Sequence, residues 1–142
     1  MMELLFNIAN LVVIPFWVMM IFLPRRNFTQ KIIGSPWIVM PLAVLYTGLV
    51  IPSFSDLLGI LSNPELESLA TAFGTQQGTL IGWVHFLAFD LFAGRWIYLD
   101  SRERKIKPVW VAFPLLLTFM FGPLGLLVYL ITCWVGTTKK SN

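Results

Sequence analysis

Three side chains able to do chemistry fall in one apolar stretch, GWVHFLAFDLFAGRWIYLDS, from Gly82 to Ser101. They are His85, the only histidine in the chain, Asp90 and Arg95. The stretch is apolar enough to cross a bilayer. A charged group at that depth costs about 2.5–3.5 kcal/mol on insertion scales, so it faces protein or a water-filled cavity and is a functional candidate. The bland alternative makes His85 and Asp90 a packing network and lets Arg95 snorkel to the interface.

On a helix, positions five apart are separated by about 7.5 Å along the axis and about 140° around it. Asp90 is then unable to pair with His85 or Arg95 on its own helix, and each needs a partner from another. Candidates are Asn10 and Asn7 on the first apolar run, Tyr46 on the second, and FGPLG, Phe121 to Gly125, on the last. Pro123 frees a backbone carbonyl there, and Gly122 and Gly125 permit close approach. Trp83, seven residues before Asp90, could wall a pocket or belong to the interfacial aromatic belt. The expected ligand site lies between the third and fourth helices, bounded by His85, Asp90, Trp83 and the Gly122–Gly125 turn. A carboxylate and an imidazole in low dielectric can move protons without a cofactor. Acid/base catalysis on a lipophilic molecule, a proton relay and a pigment pocket all fit that inventory.

Much known chemistry is excluded. There is no glycine-rich dinucleotide or phosphate loop, no HExxH, no CxxC and no nucleophile elbow. No metal site is expected, because one histidine and one cysteine, Cys133, supply too few ligands. No basic nucleic-acid face is evident.

The elements that must position these groups are all helical. The chain has 142 residues, 57% hydrophobic and 12% charged, with mean hydropathy +0.78. A soluble domain carries roughly 25% charge; this chain reads as one integral membrane domain. The expected fold is an all-α, four-helix transmembrane bundle, with helices at about 3–23, 35–52, 79–99 and 108–134. Pro15 should bend the first helix and Pro24 end it. Ser35 and Pro36 start the second, and Pro52 ends it. A short amphipathic helix at about 63–74 is expected in the second loop. It would be capped by Asn63 or Ser62, with Pro64 in its first turn and Leu66, Leu69, Ala70 and Phe73 on one face.

Loops one and three hold Arg25, Arg26, Lys31, Arg102, Arg104, Lys105 and Lys107. The other side of a four-span bundle would hold only Lys139 and Lys140. The positive-inside rule then makes loops one and three cytoplasmic and puts both termini on the outer side. The opening residues lack the basic region of a signal peptide and any Arg/Ser-rich transit segment.

The chain resembles the neoxanthin-synthase-type membrane proteins, the abscisic acid-deficient four-like family, over nearly its whole length. The resemblance rests on VVIPFWVMM followed by Pro24 and Thr29, on Ser35, on LAVLYTGL, on the Gly82–Ser101 stretch and on FMFGPLGLLVYL. With no transit segment, the expected source is a bacterium, a cyanobacterium by preference, and the membrane a plasma or thylakoid membrane. The resemblance implies cofactor-free isomerisation of a xanthophyll, in which an epoxide opens and a proton is lost to leave an allene. It implies His85 and Asp90 as acid and base, with Arg95 and Tyr98 in support. Trp83, Asn10, Tyr46, Gly122, Pro123 and Gly125 complete the expected substrate site. The expected partners are a carotenoid or other lipophilic ligand and membrane lipid, with a pigment–protein complex or a homo-oligomer as assemblies. The second function class is a non-catalytic membrane protein that binds carotenoid or assists a pigment complex.

Overall fold

The computed structural model describes residues 1–138, and every element in them is helical. Lys139 and Lys140 lie outside the described residues. Helix α1 spans Met2–Phe22, 21 residues, or about 31 Å, which matches the bilayer core. Pro15 sits inside it, and the chain leaves the helix at Leu23 before Pro24. Loop one contains a helix of its own, α2 (Asn27–Gly34), which buries Thr29 and Ile33 and exposes Lys31.

Ser35 then starts a longer run, its hydroxyl accepting from the Trp37 amide at 3.4 Å with Pro36 in the first turn. A 3-10 turn (Pro36–Val39) leads into α3 (Met40–Val50), a second 3-10 turn (Ile51–Ser53) and α4 (Phe54–Ser62). The expected end of this helix at Pro52 is therefore corrected, because the helical run continues for 27 residues. Proline removes one backbone bond, and the chain answers by tightening to 3-10 geometry rather than by stopping. Stopping would leave several carbonyls unsatisfied in hydrocarbon.

Helix α5 (Leu66–Phe73) packs on the first part of the helix that follows it, its Phe73 ring against Gly82. It starts later than expected, and neither Ser62 nor Asn63 caps it. The Ser62 hydroxyl donates back to the Leu58 carbonyl at 2.6 Å, closing α4, and the Asn63 amide donates to the Glu65 carboxylate at 3.4 Å.

Helix α6 (Gln76–Glu103) is the axis of the fold. The Thr75 hydroxyl accepts from the Gly78 amide and caps it. Its buried face runs through Leu80, Val84, Ala88, Leu91, Gly94, Ile97 and Ser101, the three-and-four spacing of a core-facing stripe. Helix α1 runs parallel to it. Asn10 meets Trp83, Trp17 lies against Gly94, and Pro24 meets Tyr98. Helices α3 and α4 run antiparallel to it. Gly34 meets Arg95, Tyr46 meets His85, and Ser53 meets Gln77. At the far end α6 closes with paired bonds, Lys105 N–H to the Arg102 carbonyl and Ile106 N–H to that of Ser101. Lys105 takes the left-handed position usually held by glycine, with φ 56°.

The expected fourth span divides in two. Helix α7 (Pro108–Phe121) and helix α8 (Pro123–Thr138) meet at Gly122, whose φ of 41° and ψ of −95° reverse the chain. In a straight helix Thr118 and Gly125 would be about 10.5 Å apart. Here a Cβ on Gly125 would collide with the Thr118 backbone. Helix α8 then descends beside α6. Gly122 touches Asp90, Tyr129 bonds Asp100, and Cys133 lies within electrostatic reach of Arg104. The two helices form a hairpin that enters from the α6–α7 loop and turns back at the depth of Asp90. The last described side chains of α8 are therefore at the opposite end of the molecule from Met1, which adjoins Gly74, Gln76 and Thr79. A fourth full span would instead carry the described end of α8 to the end where Met1 lies. Among the described residues, three helical runs are long and apolar enough to cross a membrane: Met2–Phe22, Pro36–Ser62 and Gln76–Glu103.

Candidate functional site

His85 leaves α6 on the side of α3, α4 and α5. Its ring lies 4.7 Å from that of Phe89 and 5.5 Å from that of Tyr46, centroid to centroid. Both His85 and Tyr46 line a groove of 410 Å³ walled by Val50, Leu58, Leu69 and Phe73. The groove is apolar apart from the imidazole, the phenol and backbone. Its size lies within the 300–1,000 Å³ typical of small-molecule sites. Gly82 lets α5 form its roof, because a Cβ there would strike the Phe73 ring. No hydrogen bond holds either ring nitrogen of His85 among the described residues.

Asp90 does not line that groove. It is half-buried on another face of α6 and packs against the hairpin turn, where a Cβ on Gly122 would overlap its carboxylate. Among the described residues it makes no hydrogen bond, so a pairing partner for it on another helix is not found. What it meets is the backbone at the start of α8, whose amide dipoles favour a negative charge. His85 and Asp90 thus stand apart, as the 140° offset requires. Gly122, Pro123 and Gly125 belong to the Asp90 side and not to the groove.

The remaining expected residues are placed by hydrogen bonds. The Trp83 indole donates to the Asn10 side-chain oxygen at 3.1 Å, tying α6 to α1 and facing away from the groove. Arg95 donates to the carbonyls of Ile33 at 2.9 Å and Gly34 at 2.6 Å. It satisfies the C-terminal carbonyls of α2 and so fixes loop one against α6. The Tyr98 hydroxyl donates to the Pro24 carbonyl at 2.8 Å and carries the Arg102 guanidinium over its ring at 5.7 Å. These four residues hold helices together, and the expected pocket between the third and fourth helices does not gather them.

One cluster went unread in the sequence. The Tyr129 hydroxyl donates to the Asp100 carboxylate at 2.6 Å, and Arg104 reaches the same oxygen at 2.6 Å. Tyr129 is fully buried, with Trp96 edge-on at 5.7 Å. This network pins α8 to the end of α6. Its signal was a tyrosine in an otherwise apolar run, which only a folded-back α8 brings to Asp100.

A sequence model described as ABA DEFICIENT 4-like matches residues 4–129. Protein ABA DEFICIENT 4, chloroplastic, of Arabidopsis thaliana is 30% identical over 135 residues, covering 89% of this chain and 59% of that protein. The chain thus spans about three fifths of the length of the curated relative it matches. No solved structure matches it.

Proposed function

The chain belongs to the ABA DEFICIENT 4-like family, and on that premise we propose that it is a membrane protein of xanthophyll metabolism that binds a polyene end ring in the His85 groove and isomerises it. The observation that carries this is the groove itself: an apolar cavity with one imidazole and one phenol, His85 and Tyr46, on its wall. Opening an epoxide to an alcohol while forming an allene is redox-neutral. The C–H pair becomes the new C=C bond, the C–O pair moves to oxygen, and one proton lost equals one proton gained. His85 as base and Tyr46 as acid satisfy that balance inside one site. Asp90 then supports the hairpin and does not touch substrate.

The basic ends of loops one and three lie together, since Arg102 reaches the Pro24 carbonyl. By the positive-inside rule we place that end in the cytoplasm or its equivalent. The test is an epoxy-xanthophyll added to purified protein in lipid vesicles, with pigments resolved by chromatography. Wild type should form the allenic isomer without added cofactor, and His85→Phe should bind pigment without converting it.

A second reading, a carotenoid-binding protein without catalysis, is favoured by one observation: among the described residues no hydrogen bond orients the His85 imidazole. Pigment retained in stoichiometric amount and recovered unchanged would select it.

A further inference from the structure

At the end of the molecule opposite the groove is a cavity of 290 Å³ lined by Arg25, Arg102, Lys105, Ile106, Lys107 and Pro108. We propose that this cavity binds the headgroup of an anionic membrane lipid, a phosphodiester with its acyl chains against α7. Four of its six lining residues are cationic and none is acidic. The one ion pair among the described residues, Arg104 with Asp100, lies outside it. Lys107 is the N-cap residue of α7 and Pro108 its first residue, so the positive end of a 14-residue helix adds to the field.

The cations are gathered from three elements. Arg25 comes from the turn after α1, Arg102 from the last turn of α6, and the two lysines from the α6–α7 loop. Arg102 is positioned by the Pro24 carbonyl and the Tyr98 ring. Lys105 is held at the cavity by a backbone conformation that favours glycine, so the sequence keeps a cation where the fold alone would take none. A free phosphate would satisfy the same cations. The lipid source is chosen because Val109 and Trp110, the next residues of α7, are 71% and 66% exposed. They present an apolar strip and an interfacial indole beside the cavity, where acyl chains would lie. Basic pockets between membrane helices are the usual seats of such headgroups.

The test counts lipids bound to the detergent-purified full chain by native mass spectrometry, with phosphatidylglycerol and phosphatidylcholine supplied in equal amounts. One phosphatidylglycerol per chain should be retained in preference to phosphatidylcholine. Lys105→Gly should weaken that retention roughly fivefold, and with Lys107→Gln added roughly 25-fold, on the usual contribution of one surface cation. Lys105→Gly should not lower thermal stability, since glycine adopts that φ freely. Lys31→Gln, a cation on α2 outside the cavity, should leave retention unchanged. The proposal is overturned if Lys31→Gln weakens retention as much as Lys105→Gly does, or if the two lipids bind equally. It is also overturned if millimolar inorganic phosphate displaces the lipid while the lysine variants do not affect it.

Discussion

Replacing Gly122 with alanine tests the hairpin directly, and its cost can be worked from two separate features. Gly122 has φ 41°, where an L side chain is disfavoured by about 1–2 kcal/mol. A Cβ at that position also overlaps the Asp90 carboxylate. Forcing an added methyl into a filled space costs about 1–3 kcal/mol. The carboxylate is the end of a side chain with two torsions, so the lower half of that range is expected. Gly122→Ala should therefore destabilise by about 2–4 kcal/mol. In an Asp90→Ala background the backbone part remains and the overlap disappears. A double-mutant cycle, read from denaturant unfolding in mixed micelles, should show coupling of about 1–2 kcal/mol between the positions. Additivity within about 0.5 kcal/mol would mean that Gly122 does not rest on Asp90, and the turn would have to lie elsewhere.

Two further changes probe the polar bonds that close the fold. Arg95→Lys should cost about 1.5–3 kcal/mol in the same unfolding assay, because an ammonium cannot serve the Ile33 and Gly34 carbonyls as the planar guanidinium does. A variant as stable as wild type would remove Arg95 as the clasp of α2. Tyr129→Phe should cost about 1–2 kcal/mol, and less in an Asp100→Asn background, since Asp100 accepts the Tyr129 hydroxyl. An unchanged cost in both backgrounds would dissolve that network.

Much of the fold was legible in the sequence through two physical signals. Apolar length marked the spans, and the depth arithmetic on α6 separated His85 from Asp90. Propensity at single residues read less well. Pro52 reads as an end, but bilayer depth makes an interrupted backbone costlier than a tightened one. The run from Pro108 to Trp134 is long and apolar enough to look like one span. Only Gly122 breaks it, and nothing local says whether such a break kinks a helix or reverses it. The sequence also pointed to His85 as a site residue, yet it joined His85 to Trp83 and Gly122 by depth alone. Depth says nothing about which face of the bundle a side chain occupies. Tyr46 reads in the sequence as a candidate partner for the polar groups of α6, and in the groove its ring lies 5.5 Å from the imidazole. The Asp100–Tyr129 bond has no local signal, because the two lie 29 residues apart and the helix carrying Tyr129 is not expected to return.

The claim that the His85 groove is the ligand site is tested most directly by filling it. Ala72 lines the groove, and Ala72→Trp would occupy that space, whereas Leu116→Trp enlarges an exposed side chain on α7. Purified protein of each kind would be loaded with epoxy-xanthophyll in vesicles and its retained and converted pigment quantified. The groove reading predicts that Ala72→Trp loses both retention and conversion while Leu116→Trp keeps both. Equal pigment handling by the two variants, with both folded, would contradict it.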